Sequence, residues 1–266
     1  MKGIKFIKDA HQYIDEEGKS FTSVSAFTER FKEKQDWGEI ARKSAAKLTK
    51  AGNPVTGAQL QKKWKEKAEA SAAIGTLYHE QREKEIMESA TTLFDNVVCR
   101  KKTCPTINEV KHSIPINDLE NNTIYPELMI CDSEFRICGQ SDKIVVANNK
   151  INVLDYKTDK EIAFKAYSSE WVSPRKLLPP LQHLDECNAN IYSIKMSMYL
   201  YLLWKANKGR FKAGDIVIEH IIFKRDPDND NMPVLKDGKP IVLEIKKISL
   251  PYRKKEIQDM LKTIKK

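Results

Sequence analysis

The stretch Ser141–Lys157, which reads SDKIVVANNKINVLDYK, decides the fold of this chain. Two apolar runs flank the pair Asn148-Asn149. Asparagine tolerates the positive φ that a two-residue hairpin turn needs, so the pattern predicts two antiparallel strands joined by this pair. A hairpin of this kind fixes which residues face one another, because the turn length sets the register.

The predicted register brings charged side chains together. Ala147 faces Lys150 across the turn, and counting on from there places Asp142 opposite Asp155. Residues directly opposite in an antiparallel pair point to the same face, with Cβ atoms roughly 5 Å apart. Lys157 lies two residues beyond Asp155 and therefore shares that face.

Two carboxylates facing each other destabilise a sheet unless a cation compensates their charge. Mg²⁺ binds one or two carboxylates together with waters and substrate phosphate, so a metal site gives this arrangement a physical reason. The alternative is that Lys157 neutralises Asp142 and Asp155 in a structural ion network. The hairpin alone leaves both interpretations open.

Patterning elsewhere predicts a single α/β domain over residues 1–266, with a mostly helical part at 1–95 and a sheet-containing core at 96–266. Two segments are predicted to be irregular: 95–122, with one short strand, and the long connection 160–187. Helices are predicted at about 22–32, 36–50, 57–90, 189–206 and 252–265, and strands within 4–21 and at 124–131, 134–147, 150–158, 215–224 and 240–249.

The composition favours an acidic partner. The chain has 266 residues, a net charge of +9 and a sequence pI of about 9.1, which suits nucleic acid without specifying it. We expect the five cysteines to be reduced, and their spacing argues against an iron–sulfur cluster. No apolar run reaches the length of a membrane span and no signal peptide is evident, so a cytoplasmic location without membrane partners is expected.

Several motifs in order resemble one nuclease family. Gly139–Asp142, followed by Asp155-Tyr156-Lys157, resembles the GxxD…DxK core of the RecB-like branch of the PD-(D/E)XK nucleases. The helix Gly75–Glu83, the strand Tyr125–Leu128 and the helix Tyr192–Tyr199 resemble that branch's histidine helix, glutamate strand and QxxxY helix. Residues 11–25 are similar to the opening of phage exonucleases and of the mitochondrial genome-maintenance exonuclease.

The resemblance implies a restriction-endonuclease-like core, in which a mixed central β-sheet is flanked by helices, with a helical N-terminal part. It implies a Mg²⁺-dependent deoxyribonuclease, with Mn²⁺ as a substitute, acting on DNA with a free end in replication, recombination or repair. A bacterium or bacterial virus is the expected source. Two alternatives are a catalytically inactive DNA-binding protein of the same fold and a structure-specific endonuclease.

The resemblance also implies a ligand set and catalytic roles. His79, Asp142, Asp155 and the backbone carbonyl of Tyr156 would bind the metal. Lys157 would orient or deprotonate the attacking water, or stabilise developing charge. The catalytic group is completed by Glu127, whose alternative role is a solvent-facing carboxylate on an edge strand.

Two residues have supporting roles in this interpretation. Glu83 lies one helical turn after His79 and could orient its imidazole, or could be a solvated helix charge. Tyr199 could place its hydroxyl near the hairpin, although its apolar helix predicts a core position first.

Nucleic-acid contacts are predicted for four residues. Lys195 stands where the family has glutamine and could bind phosphate, or could mark reduced activity. Trp171, Arg175 and Lys176 lie in the long connection, where they could hold a single strand by stacking and charge. The alternative for these three is an anchoring tryptophan with solvated basic neighbours.

Overall fold

The computed structural model describes residues 3–8, 10–89, 92–168, 173–227 and 232–264. In these ranges the helices are α1 (Val24–Glu29), α2 (Trp37–Lys50), α3 (Gly57–Glu88), α4 (Asn188–Ala206) and α5 (Lys254–Lys262). The strands are β1 (Lys5–Ile7), β2 (Gln12–Ile14), β3 (Ser20–Ser23), β4 (Thr92–Phe94), β5 (Val97–Lys101), β6 (Thr106–Ile107), β7 (Val110–His112), β8 (Thr123–Asp132), β9 (Ile137–Ala147), β10 (Lys150–Lys157), β11 (Lys212–Phe223), β12 (Arg225–Asp226), β13 (Met232–Pro233), β14 (Leu235–Lys236), β15 (Lys239–Pro240) and β16 (Val242–Leu250).

Most strands join one large mixed sheet flanked by helices. Its order is β16-β11-β10-β9-β3-β2-β1-β7-β6, and β8 also pairs with β9 and carries β5 and β4 beyond it. Strand β9 is antiparallel to β8 and β10, whereas β10 runs parallel to β11 and β3 runs parallel to β9. The predicted mixed α/β architecture is confirmed at this level.

The chain divides into two compact units. The sheet unit comprises Met1–Lys32, Arg82–Ile222 and Glu244–Lys266, and the helical unit comprises Glu33–Gln81 and Phe223–Leu243. In the helical unit, α2 and α3 share a small core of Ala41, Ala45 and Leu60. The prediction that residues 1–266 form one domain stays a prediction.

Strands β9 and β10 are buried on both faces, which explains their nearly continuous apolar sequence. On one face Ile144 and Val153 belong to the main core, together with the buried side of α4. On the other face Val145 and Leu154 pack in a second core with Ile86 from the end of α3. The hairpin is therefore held between two apolar layers.

The hairpin register agrees with the prediction. Ala147 pairs with Lys150 and Ile144 pairs with Val153. Asn148 and Asn149 have φ values of 51° and 58°, so both turn residues adopt the left-handed conformation that two-residue hairpins of this kind require.

Two expectations were wrong in part. Residues 95–122 contain β5, β6 and β7 rather than one short strand, because strands of five, two and three residues are too short to show a clear alternation of apolar and polar residues. Cys131 and Cys138 pair directly opposite each other on β8 and β9, and the structure joins them by a disulfide. The other cysteines are free and buried, as expected.

The described part of the connection 160–187 has an isolated bridge between Lys176 and Asp185 and is otherwise without helix or strand, as predicted. Across the ranges that the structure describes, no helix combines the length and the apolar character needed to span a bilayer.

The turn predicts a stability difference between two substitutions at Asn149, which has φ 58° and donates its N–H to Asn121 Oδ1 at 3.1 Å. Asn149→Gly keeps this bond and adopts positive φ without steric cost, whereas Asn149→Ala keeps the bond but strains the backbone. We expect the alanine variant to be less stable than the glycine variant by about 1 kcal/mol in urea unfolding. Equal stabilities of the two variants would contradict the turn geometry.

Candidate metal centre and active site

Glu127 lies opposite Asp142 across β8 and β9. Pro126 pairs with Lys143, and the same register places Glu127 level with Asp142, where regular pairing is interrupted. Glu127 has φ 48°, a left-handed conformation that is unusual for a residue with a side chain and is typical of functional sites. Carboxylate oxygens of the two residues approach within 4.8 Å. Glu127 therefore lies beside Asp142, and its catalytic role stays a prediction.

Asp155 completes the row from the other side. The β9–β10 pairing extends to Lys143 and Leu154, and the next step of this register places Asp155 opposite Asp142. Beyond that pair the Asp142 carboxylate accepts the N–H of Tyr156 at 2.7 Å. A side-chain oxygen thus replaces a backbone acceptor where the ladder ends. Glu127, Asp142 and Asp155 consequently lie at one level on three neighbouring strands.

The edge of β9 next to these carboxylates is open. β3 pairs with β9 at residues 137–138 and β10 pairs from residue 143 onward, so among the described residues 139–142 no strand partner is present on this edge. Tyr199 from α4 covers Gly139, where an added Cβ would lie 2.7 Å from Cε1 and 2.8 Å from the hydroxyl oxygen. Only glycine permits this approach. Tyr199 is both a core residue and part of the site.

A cavity of about 210 Å³ opens at this interruption. It is lined by Ser25, Gln140, Asp142, Asp155, Lys157, Tyr192, Lys195, Met196 and Tyr199. Its walls therefore come from α1, from the two hairpin strands and from one face of α4. Two carboxylates and two ammonium groups therefore line one small cavity. Such a cavity can hold a cation next to an anionic group.

Lys157 is held by several groups around its ammonium. It forms an ion pair with Asp155 and donates to the carbonyl of Tyr156 at 3.1 Å. Its Nζ lies 5.0 Å from the ring centroid of Tyr192. Burial acts to lower the pKa of Lys157, but the carboxylates of Asp155 and Asp142 outweigh burial and raise it. The side chain is therefore a fixed cation at neutral pH.

The clustered carboxyls resist ionisation. Burial, followed by the charge of Asp142, raises the pKa of Asp155 to about 6, although Lys157 opposes the shift. The same two causes raise the pKa of Glu127 to about 7, against the hydrogen bond from Gln140. Each carboxylate makes its neighbours costly to ionise, and a bound cation would remove that cost. This donor set fits a divalent cation that prefers oxygen ligands.

Two residues of the predicted site, His79 and Glu83, lie on α3. Glu83 lies near enough to Glu127 for its charge to add to the raised pKa of that carboxyl. His79 precedes Glu83 by one turn of α3 and belongs to the helical unit. Metal binding by His79 and its orientation by Glu83 stay predictions, as does metal binding by the Tyr156 carbonyl.

Arg175 and Lys176, two of the residues predicted to contact nucleic acid, are not among the residues that line the cavity. Arg175 pairs with Glu186 at 3.2 Å and Lys176 pairs with Asp185 at 2.5 Å, so each cation is engaged within its own connection. Trp171 lies outside the described residues. Contacts from these residues to DNA stay predictions. Lys195, by contrast, lines the cavity.

Sequence reasoning missed four of the residues that line the cavity, namely Ser25, Gln140, Tyr192 and Met196. Gln140 donates from its side-chain amide to Glu127. It lies two residues before Asp142 on the same face of β9, so strand periodicity could have identified it. Tyr192 donates its hydroxyl to Asp159 at 2.7 Å and places its ring beside Lys157. These contacts of Tyr192 depend on where α4 packs in the folded protein, which a local sequence pattern does not reveal.

A buried ion pair supports the hairpin from the opposite face of the sheet. Lys143 on β9 and Glu219 on β11 pair at 3.2 Å, and both are buried. Lys143 Nζ also lies 5.2 Å from the ring centroid of Tyr156. This contact fixes β10 between its neighbours directly behind the carboxylates.

Comparisons with known proteins give no assignment: no family model, curated protein or solved structure matches this chain.

The raised carboxyl pKa values predict how metal-free stability depends on pH. Asp155 and Glu127 have folded-state pKa values of about 6 and about 7, above their ordinary values of 3.8 and 4.5. Their contribution to stability is therefore complete below about pH 4 and is lost as pH rises toward 7. Mg²⁺ binds the ionised groups, so its stabilising effect should grow over the same interval.

Thermal unfolding in EDTA and in saturating Mg²⁺ measures this effect. We expect little difference at pH 5 and a shift of about 5 °C at pH 8, since ligand at 100 times Kd contributes about 2.7 kcal/mol. Asp155→Asn should reduce the shift. A Mg²⁺ shift that is the same at both pH values would contradict the carboxylate site.

The close approach at Gly139 predicts a coupled pair of substitutions. Gly139→Ala should lower the free energy of unfolding by about 2 kcal/mol, because the new methyl group overlaps the Tyr199 ring. In a Tyr199→Ala background the same change should cost much less. Urea unfolding of the four proteins measures the coupling, and purely additive effects would show that the two residues do not meet.

Proposed function

We propose that this protein is a metal-dependent DNA nuclease with a PD-(D/E)XK core. The observation that carries the proposal is the row Glu127, Asp142 and Asp155 on adjacent strands, with Lys157 beside it. Asp142, Asp155, Lys157 and Lys195 line a small cavity, and Glu127 lies beside Asp142. This set suits a divalent cation and a phosphodiester. The mixed sheet flanked by helices supports the same interpretation.

The residues of the site would have separate roles in this reaction. Asp142, Asp155 and Glu127 would supply oxygen ligands together with the Tyr156 carbonyl, and the resemblance adds His79 as a predicted ligand. Bound Mg²⁺, or Mn²⁺ in its place, would activate water and neutralise charge on the phosphate. Gln140 orients Glu127 by its amide. The interrupted pairing at Asp142 leaves room for the substrate group between the strands.

Lys157 acts as a fixed cation in this proposal. The carboxylates of Asp155 and Asp142 raise its pKa, so the amine stays protonated at neutral pH. With a metal bound to the same carboxylates, Lys157 would orient the attacking water or help to deprotonate it, or stabilise the negative charge that develops on the phosphate.

DNA with a free end is the proposed substrate, in replication, recombination or repair of a bacterium or its virus. The proposal of exonuclease action rests on the motif order shared with end-processing nucleases. A structure-specific endonuclease is the alternative for the same site, and defined product lengths would reveal it.

The test is cleavage of end-labelled linear and closed circular DNA, single- and double-stranded, in Mg²⁺, Mn²⁺ or EDTA. We expect metal-dependent loss of linear DNA, with Asp155→Ala and Lys157→Ala each at least about 100-fold slower. Asp259→Ala is the matched control, because Asp259 lies on α5 in a surface pair with Lys262. Equal cleavage of circular and linear DNA would contradict an exonuclease.

An inactive DNA-binding protein of the same fold is the second candidate. Lys195 favours it, because a lysine takes the family's glutamine position in the cavity itself. Salt-sensitive DNA binding without cleavage in either metal would establish this candidate instead.

A further inference from the structure

Lys195 is an unusual residue for its helix. Helix α4 buries most of its side chains in the main core, yet Lys195 projects from its middle to line the cavity. Burial lowers the pKa of Lys195, and the charges of Lys157 and Lys32 add to this effect. An ammonium in such a place destabilises the fold unless an anion compensates it.

The carboxylates that act on Lys195 already have partners. Glu29 pairs with Lys32 at 2.9 Å, and Asp155 pairs with Lys157. Lys195 has electrostatic interactions with all four of these residues, but within the described part of the chain it makes no hydrogen bond or ion pair of its own. Lys195 therefore lines the cavity as an ammonium that, among the described residues, is not held by a partner in the way that Lys157 and Lys32 are.

We infer that Lys195 binds a backbone phosphate of the substrate in the cavity, separately from the carboxylate row. The inference rests on the proposed function and assigns one step of it: Lys195 holds the nucleic acid in the ground state. Lys157 is already held by Asp155 and acts where charge develops. A free ammonium donates up to three hydrogen bonds to phosphate oxygens without breaking an existing pair.

This division of labour predicts a difference between the two lysines. Loss of the Lys195 charge should raise KM with little change in kcat, because it removes an interaction that substrate and transition state share. Loss of the Lys157 charge should lower kcat. One phosphate contact fewer should also weaken the salt dependence of binding by about one unit of slope.

The experiment measures binding of a fluorescein-labelled oligonucleotide by anisotropy in EDTA, over a range of NaCl concentrations. Lys195→Met should weaken binding about tenfold and reduce the salt slope by about one, and Lys195→Arg should restore both. Lys262→Met, which removes a surface charge on α5, is the matched control and should change neither value substantially. Inorganic phosphate should compete less well for the Lys195→Met protein than for the unaltered one.

Binding in EDTA does not depend on cleavage, so the two proposals fail separately. Absence of cleavage by the unaltered protein would contradict the nuclease and leave this test intact. Unchanged affinity and salt slope in Lys195→Met, with thermal unfolding showing a folded protein, would overturn the inference. If cleavage occurs, a fall in kcat without a rise in KM for Lys195→Met would overturn it as well.

Discussion

The electrostatic repulsion among Glu127, Asp142 and Asp155 is the constraint on which the site depends. Three neighbouring strands present carboxylates at one level, and like charges directly opposite destabilise a sheet. Burial strengthens the repulsion, as the raised pKa values of Asp155 and Glu127 show. The surrounding structure has to hold the strands together against this force.

Packing on both faces of the hairpin supplies that resistance. The main core with α4 lies on the carboxylate side, and the second core with Ile86 lies behind it. The Lys143–Glu219 pair joins β9 to β11 across β10. Removing either partner of a buried ion pair costs more free energy of folding than the intact pair contributes. This contact therefore favours one arrangement of the strands. The repulsive row therefore sits in a part of the sheet that is packed on both faces.

The sequence predicts Asp155 opposite Asp142 better than it predicts Glu127, and the turns explain why. Asn148-Asn149 is a two-residue turn with a clear chemical signature, so its register follows directly. The β8–β9 turn spans residues 133–136, with Asp132 accepting the Phe135 N–H at 2.9 Å and Arg136 at φ 50°. Strand ends predicted at 131 and 134 leave a shorter turn, which would place Glu127 opposite another residue.

The role of α4 shows where sequence reasoning ends. Its apolar pattern predicts a core helix, and Lys195 and Tyr199 receive a predicted role only from the resemblance of this helix to the QxxxY helix of the nuclease family. The open edge of β9 at residues 139–142 changes their meaning, because it places both residues on the wall of a cavity. An interruption in strand pairing depends on tertiary contacts that no local periodicity encodes. Lys195 and Tyr199 of α4 therefore contribute to the site because this helix covers the unpaired edge of β9.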